Sequence, residues 1–348
     1  MSIEVASVVF TCPQDDQSAP GTFLKMTAKQ YTSPHYSGDA RGLTLIFAHG
    51  VGGYKEQWEP LINQVFRLQH GKAPHLRIHE AWSVDRQNHG DAALLNKEEL
   101  AKSRPSGVSS YEWADAIAAF TQSLRMRGKR LVGISHSAGA LAIVGSTRAM
   151  ELSAIPYSGF VLIEPTIVSP QKFRGRIEKT IMGYSAMTKT RRDNWPSREA
   201  AYQYLKGRYP WKVWDPKMLQ KLVDHGLSET PRGEITPKCN KHQESTCYPD
   251  SFAHFDSMKQ VTRVWRTVPM HIVWGTRGDE LVHESARGAI SDPSQERGAA
   301  SVTRMKGGHM LLQESPDQLA LTVSQILDKI PAVPEKVPAL DVEMRSRL

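Results

Sequence analysis

The sequence predicts an α/β fold, in which a mostly parallel sheet carries helices on both faces and a helical lid is inserted between two strands. Along most of the 348 residues, short apolar runs alternate with segments whose apolar residues recur at helical spacing. This alternation is typical of parallel strands joined by crossover helices. A long aromatic-rich segment, residues 166–260, breaks the alternation once and has no clear sheet strand.

The strands and helices are predicted from two different periodicities. Continuous apolar runs bounded by turn residues predict buried strands, at residues 42–48, 78–84, 130–134, 159–163, 270–274 and 300–305. Apolar residues three or four positions apart predict helices, at residues 55–67, 111–126, 137–150 and 316–330.

The same patterns divide the chain into four parts. We expect residues 1–165 and 261–330 to form one α/β core, residues 166–260 the lid, and residues 331–348 a tail. The lid should lie over the carboxyl ends of the strands, where open α/β sheets bind ligands. Its aromatic residues either line an apolar pocket or form a core between lid helices; they include Trp195, Tyr202, Tyr204, Tyr209, Trp211 and Trp214.

Composition excludes several classes of protein. The chain is 40% hydrophobic and 23% charged, and it has no apolar run long enough to predict a membrane span. The first residues, MSIEVASVVFTCPQDDQ, do not resemble a secretory signal. Three cysteines, Cys12, Cys239 and Cys247, predict neither a disulfide framework nor a metal site, and they fit a reducing compartment. We expect no cofactor and no metal.

The stretch KRLVGISHSAGALAI, Lys129 to Ile143, contains two serines in a strand–turn–helix context. That context is typical of a nucleophile elbow, whose tight turn requires small residues two positions on either side of the serine. Ser137 has Ser135 and Gly139 at those positions, whereas Ser135 has Gly133 and Ser137. Ser137 is the better nucleophile, because Ser135 should still lie within the strand. The alternative is that the serine only caps the helix.

A serine nucleophile needs a base, an acid that orients the base, and donors for the oxyanion. His309 lies between the last predicted strand and the last helix, so it is the predicted base. Two carboxylates compete as the acid. Glu164 ends the strand after the elbow helix, and Asp279 follows the next strand one residue later than the usual spacing. Either could also cap or pair locally.

The oxyanion donors are predicted from a glycine-rich loop and from the elbow itself. The loop His49-Gly50-Val51-Gly52-Gly53 follows the first predicted strand. Backbone N–H groups in such a loop and directly after the nucleophile commonly form the oxyanion hole. We therefore predict the amides of Val51 and Ala138 as donors. A phosphate-binding loop is the rival interpretation, but no Gly-Lys-Ser/Thr follows.

At these residues the chain resembles the α/β-hydrolases. More narrowly, it resembles the fungal peroxisomal hydrolases of toxin and polyketide biosynthesis, including the acyl-CoA hydrolase of the mycophenolic acid pathway, and it is similar to the peroxisomal lipase of yeast. The resemblance extends from about Leu43 to about Ile330. It rests on FAHGVGG, DRQNHGDAA, GISHSAGA, VLIEPT, NWPSREAA with WKVWDP and HGL, and GGHM.

The resemblance implies a serine hydrolase that cleaves an acyl-CoA thioester or carboxylic ester through an acyl-enzyme, in fungal secondary metabolism. In this subfamily the acid tends to follow the strand after the nucleophile helix, which favours Glu164 over Asp279. The alternatives are a lipase or esterase acting on fatty acyl esters, and an enzyme that uses the same triad for acyl transfer or cyclisation. A non-catalytic binding protein would predict a broken triad.

Charge is consistent with an anionic substrate. The chain carries a formal net charge of +8, and residues 166–259 contain 17 Lys and Arg against 10 Asp and Glu. A positive rim would steer an acyl-CoA, whose coenzyme carries three phosphate groups, towards the cleft. The alternative is a solvated basic face. No nucleic-acid partner is expected, because no recognised binding motif appears.

The last three residues, Ser346-Arg347-Leu348, resemble the Ser-Lys-Leu signal that the peroxisomal import receptor reads. Arg in place of Lys keeps the central cation. The preceding residues look extended and polar, so the terminus should be free to enter a receptor. The sequence therefore predicts a peroxisomal protein, with chance similarity of the tripeptide as the alternative.

Overall fold

An eight-stranded sheet forms the centre of the protein, within the residues that this computed structural model describes: 2–14, 23–34, 42–277 and 281–332. The strand order is β1-β2-β4-β3-β5-β6-β9-β10, and β7 pairs with β8 in a separate small sheet. The strands are β1 Glu4–Thr11, β2 Lys25–Thr32, β3 Leu43–Ala48, β4 Ile78–Val84, β5 Arg130–His136, β6 Tyr157–Ile163, β7 Leu227–Glu229, β8 Ile235–Pro237, β9 Met270–Gly275 and β10 Ser301–Met305.

Helices connect the parallel strands and fill the insertion after β6. They are α1 Glu59–Gln69, α2 Gly90–Leu95, α3 Lys97–Ser103, α4 Ser110–Gln122, α5 Gly139–Gly145, α6 Pro170–Phe173, α7 Arg176–Thr190, α8 Arg198–Lys206, α9 Pro216–Lys221, α10 Lys241–Ser245, α11 Ser251–Val264, α12 Glu284–Arg287, α13 Leu311–Glu314 and α14 Pro316–Leu327.

The predicted mostly parallel sheet is confirmed. Every neighbouring pair from β4 to β10 along the sheet is parallel, and β2 pairs antiparallel with both β1 and β4. All six predicted strands are present, with their ends shifted by two residues at most. The sequence pattern missed β1 and β2. The strand β1 lies at the sheet edge and is largely exposed, so it has no continuous apolar run.

Helices cover both faces of the sheet because successive strand residues point to opposite sides. On β3, Leu45 and Phe47 join a core formed with α1 and α14, whereas Ile46 and Ala48 join a core formed with α4, α5 and α11. The predicted helix 55–67 begins instead as a 3-10 turn, Lys55–Trp58, before α1. The other predicted helix ends differ from the observed ends by up to five residues.

The insertion between β6 and β9 has a small core of its own. Its buried members are Trp195, Ala201, Leu205, Leu219, Val223, Leu227 and Ile235. Trp195 therefore packs between insertion elements, with its ring 5.7 Å from that of Tyr204. The helix α11 crosses residue 260, the predicted lid boundary, and packs against α5 of the core. None of the described helices is both long and apolar enough to cross a bilayer.

Polar contacts tie the insertion to the loops at the carboxyl ends of the strands. Lys238 Nζ lies 2.5 Å from Asp91 Oδ1 in α2, the helix after β4. Asn88 Nδ2 donates to Gln243 Oε1 over 3.2 Å. At the other side, the Asp215 amide donates to the Gln313 carbonyl over 2.8 Å. The insertion thus packs against the edge of the sheet where the predicted site residues lie.

Candidate active site

Ser137 is the first residue after β5 and has a left-handed backbone, with φ 54°. The turn is sterically crowded. A Cβ on Gly139 would lie 2.4 Å from the Ala48 carbonyl oxygen, and a Cβ on Gly50 would lie 3.0 Å from Ser137 Cβ. Only glycine fits at Gly139 without a shift of backbone, which explains the small residue two positions after the serine.

Ser135, the alternative serine, lies inside β5 between its neighbours on β3 and β6. It is fully buried, and among the described residues its hydroxyl has no hydrogen-bond partner. Ser137 is 6% exposed and its hydroxyl has a partner. The structure therefore separates the two serines, since only Ser137 belongs to a polar array.

That array joins the three residues Ser137, His309 and Glu164. His309 Nε2 lies 2.8 Å from Ser137 Oγ, and His309 Nδ1 lies 3.1 Å from Glu164 Oε2. An ionised carboxylate can only accept a hydrogen bond, so Nδ1 carries the proton and Nε2 accepts from the serine hydroxyl. The imidazole is thereby in the tautomer that can take a proton from Ser137.

His309 reaches this position from the loop after β10. Gly307 in that loop has φ 144°, and a Cβ there would lie 2.7 Å from Leu311 Cδ2. The neighbouring Gly308 amide donates to Glu314 Oε2 over 3.2 Å. Arg277 also bonds Glu314, with 2.8 Å between Nη1 and Oε2. Glu314 therefore fixes the loop from one side.

Glu164 directly follows β6, is fully buried and has φ 48°. Its Oε1 accepts from the Gly275 amide over 2.5 Å. Arg287 Nη2 lies 3.3 Å from Oε1 and 3.4 Å from Oε2. The sequence analysis missed Arg287, which carries no motif and reaches Glu164 only through tertiary packing. Asp279, the alternative acid, lies outside the described residues.

The two predicted oxyanion donors lie in the two turns that meet at the serine. Val51 follows Gly50, and Ala138 is the N-cap of α5. Within the described parts of the chain, the backbone N–H groups of both residues have no hydrogen-bond partner. The next amide, that of Gly52, donates to His89 Nε2 over 3.1 Å. The loop is thus held at Gly52 while the Val51 amide stays available.

His136, beside the nucleophile, connects the elbow to the His309 loop. It is buried, and its Nε2 lies 2.7 Å from the His309 carbonyl oxygen. Burial, followed by the nearby His309 ring, lowers the pKa of His136 to about 3. The neutral ring therefore donates its Nε2–H to that carbonyl at physiological pH. The spacing pattern of the elbow did not predict this contact.

His49, at the start of the glycine-rich loop, stabilises that loop through hydrogen bonds at both ring nitrogens. Its Nδ1 donates to the Gly50 carbonyl over 2.7 Å, and its Nε2 accepts from the Arg86 amide over 3.1 Å. Burial lowers the pKa of His49 to about 4. A neutral ring can serve as donor at one nitrogen and acceptor at the other, as these two contacts require.

An ion pair from the insertion, with a buried carboxylate, lies beside the same loop. Glu244 is 3% exposed and forms two hydrogen bonds with Arg191, at 2.7 Å between Nη1 and Oε1 and 2.5 Å between Nη2 and Oε2. Gly52 has φ 73°, and a Cβ there would lie 2.9 Å from Glu244 Oε1. The insertion therefore makes direct contact with the loop that carries Val51.

A second ionic group supports the loop after β4. Lys55 Nζ lies 2.9 Å from Asp85 Oδ2, 2.9 Å from Glu56 Oε1 and 2.5 Å from Asp91 Oδ2. Burial alone would lower the pKa of Lys55, but the carboxylates of Asp85 and Glu56 outweigh it and raise that pKa.

No group of three or more His, Cys, Asp or Glu side chains that could hold a metal ion occurs in the described residues.

The fold and this array together define an α/β-hydrolase, with a serine at the turn after β5 and a histidine after the last strand. Residues 45–321 match the alpha/beta hydrolase family. The chain therefore belongs to that family, and the resemblance seen in its motifs is confirmed.

Its curated relatives include fungal thioesterases. The type I acyl-CoA thioesterase mpaH of Penicillium roqueforti (strain FM164) is 28% identical over 214 residues, which cover 60% of this chain and 45% of that protein. The type I acyl-CoA thioesterase mpaH' of Penicillium brevicompactum is 29% identical over 213 residues, with the same coverage. The chain spans about half the length of these relatives.

Solved structures share the fold at lower sequence identity. The peroxisomal alpha-beta-hydrolase Lpx1 of Saccharomyces cerevisiae has a TM-score of 0.73 at 19% identity, covering 94% of this chain and 89% of that chain. The E-2-(acetamidomethylene)succinate hydrolase has a TM-score of 0.64 at 19% identity, covering 93% and 100%. These likenesses confirm the α/β-hydrolase fold.

Proposed function

We propose that the protein is a serine hydrolase that cleaves an acyl-CoA thioester or a carboxylic ester through an acyl-enzyme. The observation that carries this proposal is the continuous array Ser137–His309–Glu164, with 2.8 Å between Oγ and Nε2 and 3.1 Å between Nδ1 and Oε2. In it Ser137 is the nucleophile, His309 the base and Glu164 the acid.

Acylation begins when Ser137 Oγ attacks the substrate carbonyl carbon and its proton passes to His309 Nε2. The amides of Val51 and Ala138 receive the oxyanion of the tetrahedral intermediate, and Glu164 stabilises the imidazolium. The bond to the leaving thiolate or alkoxide then breaks, and that group takes the proton from His309. Water attacks the acyl-serine with His309 again as base, which releases the carboxylic acid and restores Ser137.

Two features support an acyl-CoA substrate. The curated relatives above are named acyl-CoA thioesterases. Residues 166–259 also carry 17 Lys and Arg against 10 Asp and Glu, which would attract the phosphates of coenzyme A. We further propose that residues 166–260 act as a lid over the site, because Glu244, which is bonded to Arg191, lies beside Gly52 in the loop that carries Val51.

We propose that the enzyme works in the peroxisome and in fungal secondary metabolism. The sequence ends in Ser346-Arg347-Leu348, which lies outside the described residues and resembles a peroxisomal import signal. The structural neighbour Lpx1 is described as peroxisomal. Motifs shared with the hydrolases of toxin and polyketide pathways support the pathway assignment.

A substrate panel tests the activity. The purified protein is incubated with acyl-CoA thioesters and with p-nitrophenyl esters of the same acyl groups, while free CoA and nitrophenol are followed. We expect acyl-CoA to be cleaved with the higher kcat/KM. Higher kcat/KM for the matched nitrophenyl esters would reassign the enzyme as an esterase. An added alcohol or amine acceptor would reveal acyl transfer as a new product.

Fluorophosphonate labelling tests the nucleophile. We expect Ser137→Ala to abolish both labelling and turnover. Ser135→Ala is the matched control, since that serine is two residues away, buried and outside the array. Labelling that survives Ser137→Ala but not Ser135→Ala would contradict the assignment.

A further inference from the structure

We propose that Arg287 is a positioning residue that fixes the carboxylate of Glu164 beside His309. This inference rests on the proposed triad and adds a fourth residue to it. Arg287 is the last residue of α12, lies 123 positions from Glu164 in the chain and is 3% exposed.

The guanidinium of Arg287 is held on several sides. Its Nε donates to the Val282 carbonyl over 3.1 Å, and its Nη1 donates to the Gly275 carbonyl over 2.7 Å. It also lies over the ring of Trp274, 4.6 Å from the ring centre. These contacts leave Nη2 facing both oxygens of Glu164, at 3.3 Å and 3.4 Å. A planar group fixed in this way restricts the carboxylate to one orientation.

Gly275 contributes both its backbone amide and its backbone carbonyl to the arrangement. Its amide donates to Glu164 Oε1 over 2.5 Å, while its carbonyl accepts from Arg287 Nη1. The acid, the end of β9 and Arg287 thus form one closed hydrogen-bonded group. The shorter of the two hydrogen bonds to Glu164 Oε2 is the one from His309 Nδ1, at 3.1 Å.

Charge gives Arg287 a second effect. Glu164 is fully buried, and an isolated carboxylate in such a place is strongly disfavoured. An adjacent cation offsets this cost and favours the ionised form. In a triad the acid must remain ionised to stabilise the imidazolium. Arg287 therefore supplies the positive charge that offsets the burial of the Glu164 carboxylate.

Other charged groups near the pair are engaged elsewhere. Glu284 Oε2 lies 3.8 Å from Arg287 Nη1 and also pairs with exposed Arg304. Arg277 pairs with Glu314, which holds the Gly308 amide. His136, which faces His309, is neutral. Among the described residues, Arg287 is the cation in hydrogen-bond contact with Glu164.

Removal of this cation should change the pH dependence of the reaction. A cation beside a carboxylate–imidazole pair disfavours protonation of the pair, so its removal is expected to favour the protonated form. Because the free enzyme needs a neutral base and an ionised acid, the acidic limb of the pH profile of kcat/KM should move to higher pH.

The experiment measures pH profiles of kcat/KM for the full chain and its variants with a p-nitrophenyl ester. For Arg287→Met, which keeps an apolar stem over Trp274, we expect the midpoint of the acidic limb to move to higher pH by about one unit or more. We expect kcat/KM at neutral pH to fall by about tenfold or more. Arg287→Lys keeps the charge but loses the planar fork. We therefore expect its acidic limb to stay near the wild-type pH while its kcat/KM remains reduced.

Arg297→Met is the matched control. Arg297 is 8% exposed and bonds the Ala289 carbonyl over 2.6 Å and Thr262 Oγ1 over 3.2 Å, so it is a buried arginine of the same segment without contact to Glu164. We expect the limb of this variant to stay in place even where its melting temperature falls. A lowered melting temperature in Arg287→Met with an unmoved limb would show a merely structural role and overturn the inference.

The failure of the triad itself would look different. If Glu164→Gln kept full activity, the assignment of the acid would be wrong, and Arg287 could have no role through it. If Glu164→Gln were inactive while the limb of Arg287→Met stayed at the wild-type pH, the triad would stand and the inference about Arg287 would fall.

Discussion

Ser137 and Glu164 share one backbone conformation at equivalent places in the sheet. Each is the first residue after a strand, β5 or β6, and their φ angles are 54° and 48°. The ladder continues into both turns, because Ser137 N donates to the Ile163 carbonyl over 3.0 Å and Glu164 N to the Val273 carbonyl over 2.8 Å. A left-handed non-glycine residue costs about 1–2 kcal/mol, and such strain concentrates at functional sites.

The first prediction concerns the acid. Glu164→Gln keeps the size of the side chain but removes its charge and can favour the wrong tautomer of His309. We expect kcat to fall by at least about 10²-fold with little change in melting temperature. Steady-state kinetics and thermal unfolding of the same preparation test this.

Asp279→Asn is the comparison for the acid, because Asp279 was the alternative that the sequence left open. We expect this variant to lose distinctly less activity than Glu164→Gln. A severe loss in Asp279→Asn together with a mild one in Glu164→Gln would reverse the assignment.

The second prediction concerns the crowded elbow. Gly139→Ala would place a Cβ 2.4 Å from the Ala48 carbonyl oxygen and 2.6 Å from that of His49. Both obstacles are backbone atoms, so the turn must shift; we expect the free energy of unfolding to fall by about 1–3 kcal/mol and activity to fall with it. Gly183→Ala in α7 meets nothing within 4 Å, and we expect it to stabilise by up to about 1 kcal/mol. If urea denaturation gave the same change in the free energy of unfolding for Gly139→Ala and Gly183→Ala, the steric argument would be refuted.

The third prediction concerns pH and stability. Burial lowers the pKa of His136 from 6.5 to about 3 and that of His49 from 6.5 to about 4. Well above pH 6.5 these rings are neutral whether the chain is folded or unfolded, so they do not make the free energy of unfolding depend on pH there. Below it the unfolded chain binds protons that the folded chain does not. The free energy of unfolding should fall by up to about 1.4 kcal/mol per pH unit for each ring, as pH drops from 6.5 towards 4.

Urea denaturation at pH 7, 6 and 5 measures that slope. We expect His136→Gln to reduce the slope relative to wild type, because one of the titrating rings is gone. His242 is exposed, so His242→Gln should leave the slope as it is. An unchanged slope in His136→Gln would mean that His136 is not kept neutral by burial.

The fourth prediction concerns location. Deletion of Ser346, Arg347 and Leu348 should move a fluorescently tagged protein from peroxisomes to the cytosol, because the import receptor reads the C-terminal tripeptide. The tag belongs at the N-terminus, so that the C-terminus stays free. Replacement of Arg347 by Lys should preserve import, since the cation is kept. Peroxisomal fluorescence that persists after the deletion would refute the targeting proposal.

Local patterns in the chain were sufficient to predict the central sheet and the turn that carries Ser137. The apolar runs predicted all six parallel strands of the sheet, and small residues around Ser137 predicted the turn after β5. The order of elements predicted that His309 follows the last strand. Each of these features depends on residues close together in sequence, where periodicity and the steric needs of a turn leave few alternatives.

The contact of Glu164 with His309 and the contacts of Arg287 and His136 required the folded chain. Glu164 lies 145 positions from His309, and Arg287 lies 123 positions from Glu164. Such pairs meet because parallel strands bring their carboxyl ends to one edge of the sheet, and no local periodicity encodes which side chain then faces which. The strands β1 and β2 were missed for a related reason, since partners across the sheet, and not an apolar run, hold them in place.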